Sequence, residues 1–368
     1  MITNIHNNMR RCLLLDNGTV NYYLNPTDST KKEDGTNANL DGSDGMVMVE
    51  IPKFYTKRKK EGTITSWYIS DVPTNGYTLH PAFVKDGVEV DYRYVGAYHA
   101  SYWDATDGLY KSGLNLDNLI GSLDLSNDKL ASVSGVYPIC GVTRPECRTL
   151  ARNRGNGWCV FDFYLVQAIQ MLYVVEYQTF YSQQVLGNGN VSGSYITPSA
   201  VQEDSPHSIA GLSNVLGNRS TEGSQPSIGA KPGIAYMSYR GIENFYGNGW
   251  QWIDGWNINN NLSSVSNYPS TFDDTSLTTN NYNILGTSMP ASNGYISNIQ
   301  DLDNVYLPSQ VTGNGSSYLT DYYYQNSGLR VAALGGAADL GALAGAFSWS
   351  LFYASGYRRR LVSSRLAY

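Results

Sequence analysis

Chemistry at a protein site needs groups that titrate, attack or ligate, and this chain has few of them at useful spacings. The four histidines, His6, His80, His99 and His207, stand singly, with no H-x-x-x-H or H-E-x-x-H arrangement. Cys12, Cys140, Cys147 and Cys159 form no C-x-x-C pair, so they read as free buried thiols and not as a zinc site or a disulfide framework. Acids pair at Asp273–Asp274 and Asp301–Asp303, inside Asn-rich loops where hydration is the plainer reading. The DGSDG run at 41–45 lacks the alternating register and closing Glu of a calcium loop. Gly335, Gly336, Gly341 and Gly345 miss the spacing of a dinucleotide loop, and there is no GxSxG elbow or phosphate loop. No catalytic residue, metal or cofactor is expected, which points towards binding.

The residues suited to binding lie near the C-terminus. "FSWSLFYASGYRRR", 347–360, concentrates Phe352, Tyr353, Tyr357 and Arg358, Arg359 and Arg360, and aromatic and Arg side chains dominate interface energetics. It follows "GGAADLGALAG", 335–345, built almost only from Gly, Ala and Leu. Asn is frequent as far as Asn326 and absent from there to Tyr368.

Several elements must position this segment. Thr143 and Glu146 form a capping box with Pro145 in the first turn and Gly155 as a stop, which predicts a helix over TRPECRTLARNRG. Phe161, Leu165, Ala168, Ile169, Leu172 and Val175 share one face of a second, buried helix expected to run to Gly187. "MVMVEIPKFYTKRKK" opens as an apolar strand, with Pro52 and the basic cluster suggesting a sheet edge. Trp250 and Trp252 flank Gln251 at strand period, so both indoles face one way, as core anchors or, in the sharper reading, as a sugar-stacking platform. The rest reads as short strands and long loops, an α+β chain with one domain from 45 to 368 and an N-terminal attachment or strand extension at 1–44.

The 368 residues suffice for a full core, and charged residues make up only 15%. Polarity comes from Asn, Ser, Thr, 37 Gly and 30 Tyr, the mixture found in ordered binding loops. The net charge of −6 argues against nucleic-acid binding, although the tail from Arg330 holds five arginines against Asp339 alone. The N-terminus has no continuous apolar stretch and no segment approaches ~18 apolar residues, so neither export by an ordinary signal nor membrane insertion is expected.

"GMVMVEIPKFY" (45–55), the two-helix region, "GNGWQWIDGWN" (247–257) and the ending "GGAADLGALAGAFSWSL…SSRLAY" together resemble the variable proteins of diversity-generating retroelements. The phage major tropism determinant belongs to that family. The resemblance spans roughly residues 45–368 and is most specific at the C-terminus. It implies a C-type lectin fold of the formylglycine-generating-enzyme type, and a gene whose 3′ end is overwritten by copies mutated at template adenines. An Asn codon randomised at its two adenines can give Ala, Asp, Leu, Gly, Phe, Ser, Tyr or Arg. Residues 337–360 hold all eight, which accounts for the missing Asn.

What the resemblance implies divides the tail in two. Gly335, Gly336, Gly341, Gly345, Phe347, Trp349, Leu351, Arg365 and Leu366 match the fixed scaffold, with Trp250 and Trp252 behind them. Ala337, Asp339, Leu340, Ala342, Leu343, Ser348, Ser350, Phe352, Tyr353, Ala354, Tyr357, Arg358, Arg359 and Arg360 would be displayed and variable. Ser348, Ser350 and Phe352 alternate with Phe347, Trp349 and Leu351, as one outward and one buried strand face require. The Arg run would favour an acidic or phosphorylated ligand. The expected protein is a phage or prophage tail adhesin that recognises a bacterial surface protein or glycan, located on the virion or alternatively on a bacterial surface. A homo-oligomer such as a tail-fibre trimer stays open. The rivals are a constant structural tail protein and an enzyme like the formylglycine-generating one. The latter relies on a late cysteine pair, and there is no Cys after Cys159.

Overall fold

A computed structural model describes residues 2–111, 123–192, 207–224, 234–300, 302–317 and 319–368. The architecture is mixed α+β, with four short α-helices and many strands in several sheets among the described residues. The helices are α1 (Asn4–Asn7), α2 (Arg144–Arg152), α3 (Phe163–Tyr177) and α4 (Ser182–Leu186). No helix among the described residues is long and apolar enough to cross a membrane.

Two large sheets carry the core. A seven-stranded sheet has the order Cys159–Val160, Leu366–Ala367, Tyr92–Gly96, Met46–Pro52, Arg10–Leu14, Val20–Asn25, Asp28–Lys32. The strand Met46–Pro52 is therefore interior, with Val47, Val49 and Ile51 on one apolar cluster and Met46 and Met48 on the other. The expected edge is one element later. The basic residues Lys57–Lys60 lie on Tyr55–Glu61, which forms a separate small sheet with Ile64–Ser70 and Thr78–Leu79. The boundary expected at 44/45 also falls inside the architecture, because Arg10–Leu14 pairs directly with Met46–Pro52.

The second sheet, of eight strands, places Trp250–Asn259, Leu329–Leu334, Trp349–Tyr353 and Tyr322–Gln325 side by side at its centre. Both sheets separate the same two apolar clusters. α3 contributes Leu165, Ala168, Ile169 and Leu172 to the first, and α2 contributes Cys147, Leu150 and Ala151 to the second. α2 starts at the capping box: the Thr143 hydroxyl accepts from the Glu146 amide, and the Thr143 amide donates to Glu146 Oε2 at 2.9 Å. α3 starts later and stops earlier than periodicity suggests. Asp162 caps it, and Gln178, in the left-handed region at φ 57°, ends it before the separate turn of α4.

The C-terminal segment joins the sheets. Val362–Ser363 runs parallel to Trp250–Gln251 in one, and Leu366–Ala367 inserts between two strands of the other. Arg365, fully buried, lies between these two pairings. Its guanidinium donates to Gln251 Oε1 (2.7 Å), to the Gly96 carbonyl (2.8 Å) and to the carbonyls of Glu243 (2.7 Å) and Asn244 (3.0 Å). A planar fork of five donors suits this set; a lysine ammonium cannot reach all of it. Arg365→Lys is expected to strand at least two buried carbonyls and cost at least about 3 kcal/mol, read as a lower denaturation midpoint at an unchanged m-value.

Candidate functional site

The turn 335–346 and the strand Trp349–Tyr353 form the frame of the candidate surface. Gly336 has φ +83°, and a Cβ there would lie 2.6 Å from that of Ala344, so only glycine fits. Gln183 from α4 donates to the carbonyls of Gly341 (2.9 Å) and Ala344 (2.7 Å), and Gln170 from α3 donates to that of Ala346 (2.7 Å). Phe347 packs among Tyr173, Phe180 and Tyr306, and Trp349 meets Trp256 edge-on at 4.9 Å. Gly335, Gly345, Leu351 and Leu366 are likewise buried, and Gly341 is half-buried.

Asp321 anchors the base of this frame and had no signal in the sequence beyond its place before three tyrosines. It is 1% exposed, its Oδ2 accepts from the Phe347 amide at 2.6 Å, and a Cβ on Gly345 would sit 2.1 Å from its Oδ1. Burial pushes its carboxyl up to about 8 against an ordinary 3.8.

The displayed set divides on exposure. Asp339, Ala342, Ala354, Phe352 (44%) and Tyr357 (38%) are exposed, and Leu340, Leu343, Arg358 and Arg359 are half-buried. Ala337, Ser348, Ser350, Tyr353 and Arg360 are buried, which corrects their expected display. The strand Trp349–Tyr353 has a neighbour on each side and an apolar cluster over each face, so one face is not free for solvent. The alternation also breaks. Ser350 opposes Ala333 and Tyr353 opposes Val331, so the strand holds one extra residue across a bulge. That residue shift turns Tyr353 inward against Trp252 (5.7 Å, edge-on) and leaves Phe352 outside. Trp250 and Trp252 do face one way, into the second cluster beneath Tyr324 and Tyr353, which removes the sugar-platform reading for them.

Two of the three arginines face acids. Arg358 grips Glu146 with two bonds of 2.6 and 2.7 Å, Arg359 lies 4.0 Å from Asp339, and Arg360 is 6% exposed. The expectation of an anion-seeking basic patch is corrected accordingly. What reaches solvent is an aromatic ridge: Tyr357 stacks on the inward Tyr353 at 4.6 Å and 19°, and Phe352 stands edge-on to Tyr353 at 5.8 Å.

No protein-family model matches the chain, and no curated protein shows significant similarity to it.

The remaining sequence candidates are interior groups. Burial pushes His80 down to about 3 and His207 to about 4, and lowers His6 and His99, so all four imidazoles are neutral near pH 7. His99 donates from Nε2 to the Asn244 carbonyl and accepts the Ser363 hydroxyl at Nδ1. All four thiols are buried and unpaired with one another, and burial pushes Cys140 and Cys147 up to about 12. Among the described residues no three His, Cys, Asp or Glu side chains cluster as metal ligands. Asp274 pairs with Arg144 and Arg148, and Asp273 caps the turn at Thr275–Ser276. Arg58 holds Asp303, and Asp301 lies outside the described residues.

Two outcomes follow. Tyr353→Ala should cost about 3 kcal/mol by cavity formation, while Phe352→Ala and Tyr357→Ala should stay within about 0.5 kcal/mol, compared by urea denaturation. Asp321 holds its proton in the folded state to about pH 8, so its contribution to stability is complete below about pH 4 and is lost as pH rises through 8. Asp321→Asn should therefore flatten the decline in melting temperature between pH 5 and 8.5.

Proposed function

We propose that this chain is a ligand-binding protein of the kind its C-terminus resembles, a variable receptor-binding protein with a C-type lectin fold, carried on a phage or prophage tail. The observation that carries the reading is the contrast within residues 335–366. Exposed Phe352 and Tyr357, with Asp339, Ala342 and Ala354, sit on a frame whose Phe347, Trp349 and Arg365 are fully buried. Side chains at the exposed positions can change without opening the core, whereas buried replacements commonly cost ~2–5 kcal/mol.

The exposed chemistry favours a protein epitope on a bacterial surface. Aromatic rings give large rigid contact area at low entropic cost, and the neighbouring Arg358 is already gripped by Glu146 while Arg359 lies 4.0 Å from Asp339. Hot-spot aromatics of this type are often worth ~2 kcal/mol or more each.

Deep sequencing of the gene's 3′ end across a population tests the reading. Substitutions should fall at 339, 340, 342, 343, 352, 354 and 357–359, with 349 and 365 constant and only small residues at 337, 348 and 350. A uniform tail in an active population would favour a constant structural tail protein. With a receptor-bearing cell in hand, Phe352→Ala combined with Tyr357→Ala should weaken attachment at least ten-fold with little change in melting temperature.

A further inference from the structure

A cleft among the described residues lies far in sequence from the C-terminal surface. It has a volume of about 800 Å³ and lies between the Tyr55–Glu61/Ile64–Ser70 hairpin and residues 297–300, 312–314, 317 and 319. That size falls in the ~300–1,000 Å³ range of small-molecule sites. Its deeper lining is apolar: half-buried Trp67 and Phe180, with Leu319 5% exposed. Exposed neutral side chains stand around it, Thr63, Asn298 and Asn314 among them. Among the described lining residues Lys60 is the one that carries a charge, and none is Asp, Glu or His.

This composition selects a ligand class. A divalent cation needs carboxylates and a phosphate needs converging cations; the described lining residues include no carboxylate and one cation, Lys60. A neutral sugar has an apolar face of C–H groups and a rim of hydroxyls. It matches aromatic rings below and hydroxyl and amide groups above. Part of the polar set is already fixed. Gln300 donates to the carbonyls of Ser288 (3.1 Å) and Pro308 (2.9 Å) and accepts from Thr287, and Ser297 and Thr312 bond each other at 3.0 Å.

A second cleft, about 550 Å³, shares Thr65, Trp67 and Phe180 with the first and continues along Ser66–Ile69 to Tyr77. Trp67 thus lines both clefts, so the joined concave space suits a chain more than a single ring. From this juxtaposition we propose that the two clefts form one binding site for a neutral oligosaccharide, with Trp67 as its stacking face and Phe180, edge-on to it at 6.3 Å, as a flanking apolar wall. The site is separate from the C-terminal surface and does not depend on what that surface binds.

The test is calorimetric titration of the full chain with cellohexaose, maltohexaose and chitohexaose, and with the matching disaccharides. At least one hexasaccharide should bind saturably and about ten-fold or more tighter than its disaccharide. Trp67→Ala should weaken it by ten-fold or more, and Phe352→Ala should leave it unchanged. Trp67 is half-buried, so the exposed pair Asn298→Ala and Asn314→Ala provides a second variant that spares the core; it should weaken binding about five-fold or more at an unchanged melting temperature. No saturable binding by any of the three, wild-type affinity in both cleft variants, or loss of binding in Phe352→Ala would each overturn the assignment.

Discussion

The Arg365 guanidinium is the interaction on which the rest of the architecture turns. A cation removed from water is tolerated only when every donor finds an acceptor, and here the acceptors come from three separated stretches: Gly96, Gln251 and the Glu243–Asn244 pair. The first belongs to the seven-stranded sheet and the second to the eight-stranded one. The last residues of the chain are therefore a closure between layers. Gln251 is itself held, donating to the Phe245 carbonyl at 2.9 Å, so the side chain that receives Arg365 is fixed from its other end. With the end of the chain locked on both sides, the segment 335–360 leaves and re-enters a rigid body.

Local chemistry was legible in the sequence wherever it was self-contained. The Thr143–Glu146 box reads from four residues because both its bonds are made within them. The common direction of Trp250 and Trp252 reads from strand period alone. Features that depend on distant partners were not legible. Nothing near Met46–Pro52 announces that Arg10–Leu14 will cover its outer edge, and an Asp before three tyrosines gives no sign that a backbone amide 26 residues later will close over it. Trp67 and Phe180 are separated by more than a hundred residues, so the cleft between them is a product of tertiary packing.

The candidate surface shows the same division at finer scale. Strict alternation from Phe347 onwards fails because one residue is inserted opposite Val331–Ala333, and a single-residue bulge exchanges the faces of everything after it. Ser348 and Ser350 are small for a packing reason: the aromatic rings of neighbouring strands close over the second face, and Ser350 lies between Ala333 and Tyr324 in register. The three consecutive arginines likewise have three different fates, one gripping a helix cap, one near Asp339 and one interior.

The Arg358–Glu146 pair has a consequence for how such a surface can change. Glu146 also receives the Thr143 amide and hydroxyl at the start of α2, so one carboxylate serves both the helix start and the rim of the exposed ridge. Replacement at position 358 frees Glu146 to solvate or to seek another cation, and the entry to α2 feels the change. Recognition and folding are therefore not independent currencies at this position. Innovation there is filtered first by what the helix will tolerate, and innovation at Phe352 is not.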